Sequence, residues 1–168
     1  MSKIAFVLAD DFEDSEFSTP KAALTDAGHE VDVIGTEVGI VTGKHGTQVP
    51  VTTNVTDAEP SDYAALVIPG GFSPDHLRTN DDIVSFVRAM ADRDVPVAAV
   101  CHAPSLLIEA GLVEGRTMTS WPSIRTDLAN AGADVVDREV VVDGRFISSR
   151  DPDDLPAFSA ALLEQLDS

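Results

Sequence analysis

The chain of 168 residues has a single cysteine, Cys101. One thiol cannot form an internal disulfide, so the fold must be held by its core. Metal-binding patterns are missing as well. The four histidines, His29, His45, His76 and His102, show no HxxxH spacing and no CxxC accompanies them. No metal and no cofactor are therefore expected. Phosphate loops are absent too, with neither GxGxxG nor GxxxxGK[ST] in the chain. No apolar run approaches the ~18 residues that span a bilayer. The start, MSKIAFVLADD, passes from apolar to acidic without a small-residue cleavage site. No signal peptide is expected, and the protein is expected in the cytoplasm.

Positive charge is also scarce. Lys and Arg number 11 against 29 Asp and Glu, a net charge of −18, and the only lysines are Lys3, Lys21 and Lys44. A field of that sign repels nucleic acid and anionic membranes, so neither is an expected partner. The acidic residues are spread along the chain rather than gathered in a tail. An Asp-rich, Lys-poor surface of this kind suits a salt-filled cytoplasm, where screening removes self-repulsion, and a halophilic source is expected.

What remains is a globular composition, 43% hydrophobic and 24% charged, long enough for one domain over residues 1–168. Lys3 to Leu8, Tyr63 to Ile68 and Pro96 to Val100 are short apolar runs that read as buried strands, and Glu30 to Ile34 alternates as a fourth. Helices are expected from near Phe12 to Ala27, over Asp81–Arg93, Ser105–Ala110 and Ser123–Ala131, and from Pro152 to Leu166. Thr117 to Ser120 reads as a short strand. Gly39 to Thr52 and Val140 to Ser148 read as hairpins, the second turning at Asp143-Gly144. Apolar strands alternating with helices imply an α/β fold, a mainly parallel, doubly wound sheet with helices on both faces. In such folds the site lies at the carboxyl ends of the strands. Three segments with unusual chemistry end there: Asp10–Glu16, Pro69–Pro74 and Cys101–Pro104.

Cys101 follows an apolar strand and precedes a helix, the setting of a nucleophile elbow. The N-terminus of the following helix favours thiolate over thiol, so a lowered pKa is expected. His102 beside it is a candidate general base or ion-pair partner. Glu13 lies just past the first strand on the same edge. Ionised, it would raise the thiol pKa; buried and protonated, it would donate a hydrogen bond to the sulfur. Gly70 and Gly71 allow close backbone approach. The amides of Gly71 and His102 are candidate oxyanion donors.

FEDSEF at residues 12–17, GKHG at 43–46, VIPGGFSPD at 67–75, AVCHAP at 99–104 and VVVDGRFISSR at 140–150 together resemble the PfpI/ThiJ family. They fall closest to its branch of intracellular proteases and protein deglycases. The resemblance runs over nearly the whole chain and implies a flavodoxin-like three-layer sandwich and a homo-oligomer, a dimer or hexamer joined partly through the first hairpin. It implies Cys101 as nucleophile, His102 beside it, Glu13 as the buried acid on the sulfur, and Gly71 with His102 as the oxyanion hole. Where protease members have a glutamate from a neighbouring subunit orienting the histidine, this chain has the shorter Asp75. Trp121 stands where the family often has tyrosine, and Trp121 and Gly70 are candidate substrate contacts. The activity implied is that of a cysteine-dependent, stress-protective hydrolase, a deglycase or glyoxalase acting on small carbonyl compounds or glycated proteins. An intracellular cysteine peptidase and a non-enzymatic redox sensor or holdase chaperone are the alternatives. A glutamine amidotransferase, which needs a His and Glu late in the chain, is not expected, since no histidine follows His102.

Overall fold

The computed structural model describes all 168 residues. Five strands begin the parallel part of the sheet, which β11 below completes: β1 (Lys3–Val7), β2 (Glu30–Gly35), β5 (Thr53–Asn54), β6 (Ala65–Ile68) and β7 (Val97–Val100). β3 (Gly39–Thr42) and β4 (Gln48–Val51) form the first expected hairpin, paired Gly39 to Val51 through Thr42 to Gln48. β8 (Thr117–Met118) and β9 (Asp134–Val135) make a small parallel pair. β10 (Val141–Asp143) and β11 (Phe146–Ser149) make the second hairpin, and β11 continues the main sheet parallel to β7. The helices are α1 (Asp14–Asp26), α2 (Ser73–Leu77), α3 (Asp81–Ala91), α4 (Pro104–Glu109), α5 (Arg125–Asn130) and α6 (Leu155–Asp167). None is long and apolar enough to cross a membrane.

The seven-stranded sheet runs β10-β11-β7-β6-β1-β2-β5. Successive residues of a strand face opposite sides, and two apolar clusters follow from that alternation. Ala5, Val7, Leu66, Ile68, Val97 and Ala99 pack with α3 and α4 on one face. Ile4, Phe6, Val67, Ala98 and Val100 pack with α1 and α6 on the other. The expected α/β sandwich, mainly parallel with helices on both faces, is therefore the observed fold.

Local differences have local causes. The five-residue α2 carries too short a pattern to be read from periodicity, and it is fixed from outside: Ser73 Oγ accepts from the Ala9 amide at 2.9 Å. β5 and β9 are two residues each and leave no alternation to detect. α1 holds Pro20 in its interior. Proline has no N–H to offer the carbonyl of Glu16 four residues earlier, yet the helix continues because Phe17, Pro20 and Leu24 are buried.

From β1 the chain winds out to β2 and β5 on one side, while β6, β7 and β11 extend the sheet on the other. The winding thus reverses between β1 and β6, where ligand crevices of open α/β sheets lie. The loops leaving β1, β6 and β7 meet there.

Candidate active site

Cys101 directly follows β7 with φ +65°, a left-handed backbone for a residue that is not glycine. Its amide donates to the Ser149 carbonyl at 3.1 Å, and its carbonyl accepts from the Trp121 amide at 3.0 Å. The elbow is thus pinned from two sides, and such strain persists only where surroundings over-determine it. The side chain is almost buried, 6% exposed, at the floor of a cavity of about 340 Å³. Glu13, Glu16, Lys44, Gly71, Phe72, His102, Trp121 and Pro152 complete the lining.

The acid beside the sulfur is Glu16, not Glu13. Glu16 is fully buried, and its Oε1 accepts from the Gly70 amide at 2.8 Å. The carboxyl lies in side-chain hydrogen-bonding reach of the Cys101 thiol. That contact is loose, since Oε2 meets no partner at full hydrogen-bond geometry. Glu13 sits at the helix start instead, with extended backbone. Its side chain turns towards the first hairpin, where Lys44 Nζ lies 2.5 Å from Oε2 and His45 Nε2 lies 3.6 Å from Oε1. One turn of helix separates the two acids and gives them different partners. A sequence signal did exist. Glu16, Pro20 and Leu24 fall at i, i+4 and i+8, a buried stripe with an acid at its head.

The two glycines after β6 are required by what surrounds them. A Cβ on Gly70 would lie 2.6 Å from Glu16 Oε1 and 2.8 Å from both Cys101 Cβ and the Val100 carbonyl oxygen. Gly71 has φ +71°, and a Cβ there would lie 2.5 Å from the Glu13 amide nitrogen. Gly70, a candidate substrate contact, does not line the cavity; its amide holds Glu16. The amides of Gly71 and His102 lie near the Cys101 sulfur and act to lower its pKa.

The electrostatics differ from the expected lowered thiol pKa. Burial pushes the Cys101 thiol up to about 12, and negative charge on Glu16 adds to the rise, against the two amides. Burial also pushes Glu16 up to about 8, despite the Gly70 amide. The two acids are coupled: each resists ionisation while the other is charged. At pH 7 Glu16 holds its proton, so the repulsion it would exert on a thiolate is absent. α4 has only six residues, and its end does not outweigh burial.

His102 Nδ1 lies 3.2 Å from Cys101 Sγ, and Nε2 lies 3.2 Å from Ser123 Oγ. Phe72 and Trp121 both stack on the imidazole, with centroids 6.4 and 6.0 Å away. Burial and then the Lys44 charge hold His102 below its ordinary value. It is a neutral base at pH 7. Asp75 makes no hydrogen bond to His102 in the chain and acts only through its charge, which pulls the imidazole back up. Ser123, which SWPS places two residues past Trp121, is a contact of the imidazole that no sequence pattern announces. Lys44 was visible in GKHG but carried no assigned role. No three His, Cys, Asp or Glu side chains converge as a metal site.

Residues 2–165 match the DJ-1/PfpI family. An uncharacterized protein of Staphylococcus saprophyticus is 47% identical over 167 residues, covering 98% of this chain and 97% of that one. Among solved structures, a two-domain protein of Anabaena variabilis with DJ-1/ThiJ/PfpI-like and ferritin-like domains superposes with a TM-score of 0.98 at 40% identity. The match covers 99% of this chain and 48% of that one, so this chain spans about half of the two-domain protein. DJ-1beta of Drosophila melanogaster superposes with a TM-score of 0.91 at 29% identity, over 99% of this chain and 91% of that one. The protein belongs to the DJ-1/PfpI family.

Proposed function

We propose that the protein is a cysteine-dependent hydrolase of small carbonyl compounds, acting on methylglyoxal, glyoxal or their adducts on protein side chains. One observation carries the reading. The lone thiol lies between a neutral base at 3.2 Å and a buried carboxyl that keeps its proton at pH 7. Family resemblance supplies the substrate class.

Because burial disfavours a resting thiolate, the thiol is activated at the moment of attack. The Cys101 proton passes to His102 Nδ1 as Sγ bonds to the aldehyde carbon. The carbonyl electron pair moves onto oxygen, which the amides of Gly71 and His102 receive. Protonated His102 returns its proton to that oxygen, giving the hemithioacetal; neutral His102 then takes the proton from the former aldehyde carbon and delivers it to the neighbouring carbonyl carbon, while the hydroxyl proton passes to the neighbouring carbonyl oxygen. This gives a thioester of a 2-hydroxy acid without net oxidation. Water then cleaves the thioester, releasing the hydroxy acid and restoring the thiol. Neutral Glu16 and protonated His102 are the donors at hand for these transfers.

A cavity of about 340 Å³ suits a compact substrate. A second recess of about 300 Å³ adjoins it through Gly71, Phe72 and His102 and continues past Asp75, Arg78 and Asp127. That recess favours a peptidase reading as the second choice, with a chain laid across His102. Oligomerisation, cytoplasmic residence and a halophilic source complete the proposal. For the first, the exposed Val38 and Ile40 beside the first hairpin are the support.

The test is consumption of methylglyoxal, followed by its absorbance or by lactate release, in the wild type and Cys101→Ala. Loss of turnover in the variant is expected. Turnover retained without the thiol rejects the mechanism, and casein cleavage without methylglyoxal turnover selects the peptidase.

A further inference from the structure

We infer that the recess beside His102 is a subsite for a basic side chain, arginine or lysine, carried one residue from the reacting group of a peptide substrate. The inference deepens the proposed function and rests on its placement of the reacting carbon at Cys101. The recess, of about 300 Å³, shares Gly71, Phe72 and His102 with the cavity of the nucleophile. A further recess of about 330 Å³ shares Arg78, Ser105, Ile124 and Asp127 with it. The three hollows make one groove that starts at the thiol and leads away past the imidazole.

The charge of the groove selects its occupant. Asp75 on α2 and Asp127 on α5 both line the recess and are exposed. Neither enters an ion pair or a side-chain hydrogen bond within the chain. The charge of Asp75 is felt at the His102 imidazole, which places that carboxylate towards the reacting centre. Arg78 is the one cation in the lining, and it is already matched. Its Nε and Nη2 lie 3.2 and 3.1 Å from Glu109 Oε1, on a residue outside the recess. Two uncompensated carboxylates remain.

An independent feature points to a ligand in the same place. Ser105 is only 8% exposed, yet it lines both recesses, and its hydroxyl has no hydrogen-bond partner in the chain. A guanidinium or ammonium has the N–H donors that these three groups lack. The walls suit the rest of such a side chain. Ile124 and Phe72, the latter 63% exposed, give apolar surface for the methylene stem. The Phe72 ring also offers a face on which a guanidinium stacks. An acidic side chain would meet two like charges instead.

The test labels Cys101 with iodoacetyl-arginine amide, iodoacetyl-alanine amide and iodoacetyl-glutamate amide. In each, Sγ displaces iodide and bonds to the acetyl carbon, which brings the adjoining side chain to the groove. Rates are read by intact mass at one fixed pH and salt concentration. Each is divided by the rate of the same reagent with N-acetylcysteine. The wild type should react about tenfold faster with the arginine reagent than with the alanine one, from two exposed charge pairs worth about threefold each. The glutamate reagent should be slowest. Asp75→Asn or Asp127→Asn should cut the arginine-to-alanine ratio to about threefold, and the double variant to about one. The control is Asp26→Asn with Asp167→Asn, the same loss of charge at exposed positions on α1 and α6. It should keep the wild-type ratio. Each ratio is taken within one variant, so a change in the reactivity of the thiol itself cancels. A wild type without a preference for arginine overturns the inference. A preference that survives the double variant, or that the control loses equally, belongs to the field of the whole chain and also overturns it. Every readout is an alkylation rate. Failure of methylglyoxal turnover would therefore remove the hydrolase reading alone, and these ratios would still decide the subsite.

Discussion

Glu16→Gln tests how the pocket is wired, because stability and activity should answer in opposite directions. The carboxyl is fully buried and pushed up to about 8, from 4.5 for the free group. Between those values the folded protein keeps a proton that the unfolded chain has released. Stability from this group is therefore complete below about pH 4.5 and is lost as pH rises towards 8. At about 1.4 kcal/mol per unit, roughly 3 kcal/mol is lost by pH 7 and about 4 by pH 8. Glutamine has the same shape, still accepts from the Gly70 amide and does not titrate. Urea unfolding at pH 5, 6.5 and 8 should show the variant gaining on the wild type by several kcal/mol across the series. Parallel stability curves would refute the placement of a protonated acid at this position.

The same substitution should change the pH profile of turnover. Activity in the wild type should rise as His102 loses its proton, below its ordinary value near 6.5, and fall as Glu16 ionises near 8. Above that point a carboxylate faces the sulfur and opposes the charge that develops on it. Glu16→Gln should abolish the upper limb, and at pH 7 it should slow turnover by about a hundredfold for want of an acidic proton. If the descending limb near 8 survives in the variant, it belongs to another group and the assignment fails.

Two further substitutions or conditions follow from the same structure. Gly70→Ala would set a methyl group against Glu16 Oε1, Cys101 Cβ and the Val100 carbonyl; a loss of about 1–3 kcal/mol in urea unfolding is expected, and a wild-type midpoint would show that the crevice has room. With a net charge of −18, the melting temperature should climb as KCl is raised from about 0.1 to 1 M, where the Debye length shrinks from about 10 to 3 Å; a flat response rejects the salt-adapted surface.

The fold was readable because its strands are apolar runs bounded by glycine and proline, and their order with helices leaves one architecture. YAALVI and PVAAV could be placed from composition alone. The short elements were not readable, because two residues such as Thr53–Asn54 carry no period. The nucleophile was legible for the same local reason as the strands, an apolar run stopped by Cys101 and followed by a helix. His102 came with it. The acid was misplaced by three residues because Glu13 and Glu16 stand on one short stretch, and the helix phase that separates them depends on where α1 starts. Pro20 and Leu24 set that phase, and on it Glu16 heads the buried stripe. Lys44 arrives at the cavity and Ser123 at the imidazole of His102 from distant segments, and only tertiary packing brings them there.

The burial of Glu16 explains why the thiol pocket is built as it is. A solvated glutamate is ionised at pH 7 and could offer the sulfur nothing but repulsion. Placed under the sheet edge, the same group is a proton donor throughout the neutral range, at a cost of roughly 3 kcal/mol to the fold. The Lys44–Glu13 pair completes the design. Glu13 takes the one ammonium at the cavity, and that ammonium is drawn to a carboxylate at the rim rather than to the acid at the floor. Were Lys44 released, its charge would favour ionising Glu16, since it already pulls that carboxyl downwards. Two acids one helical turn apart thus divide the labour: the outer one holds the cation, and the inner one keeps its proton.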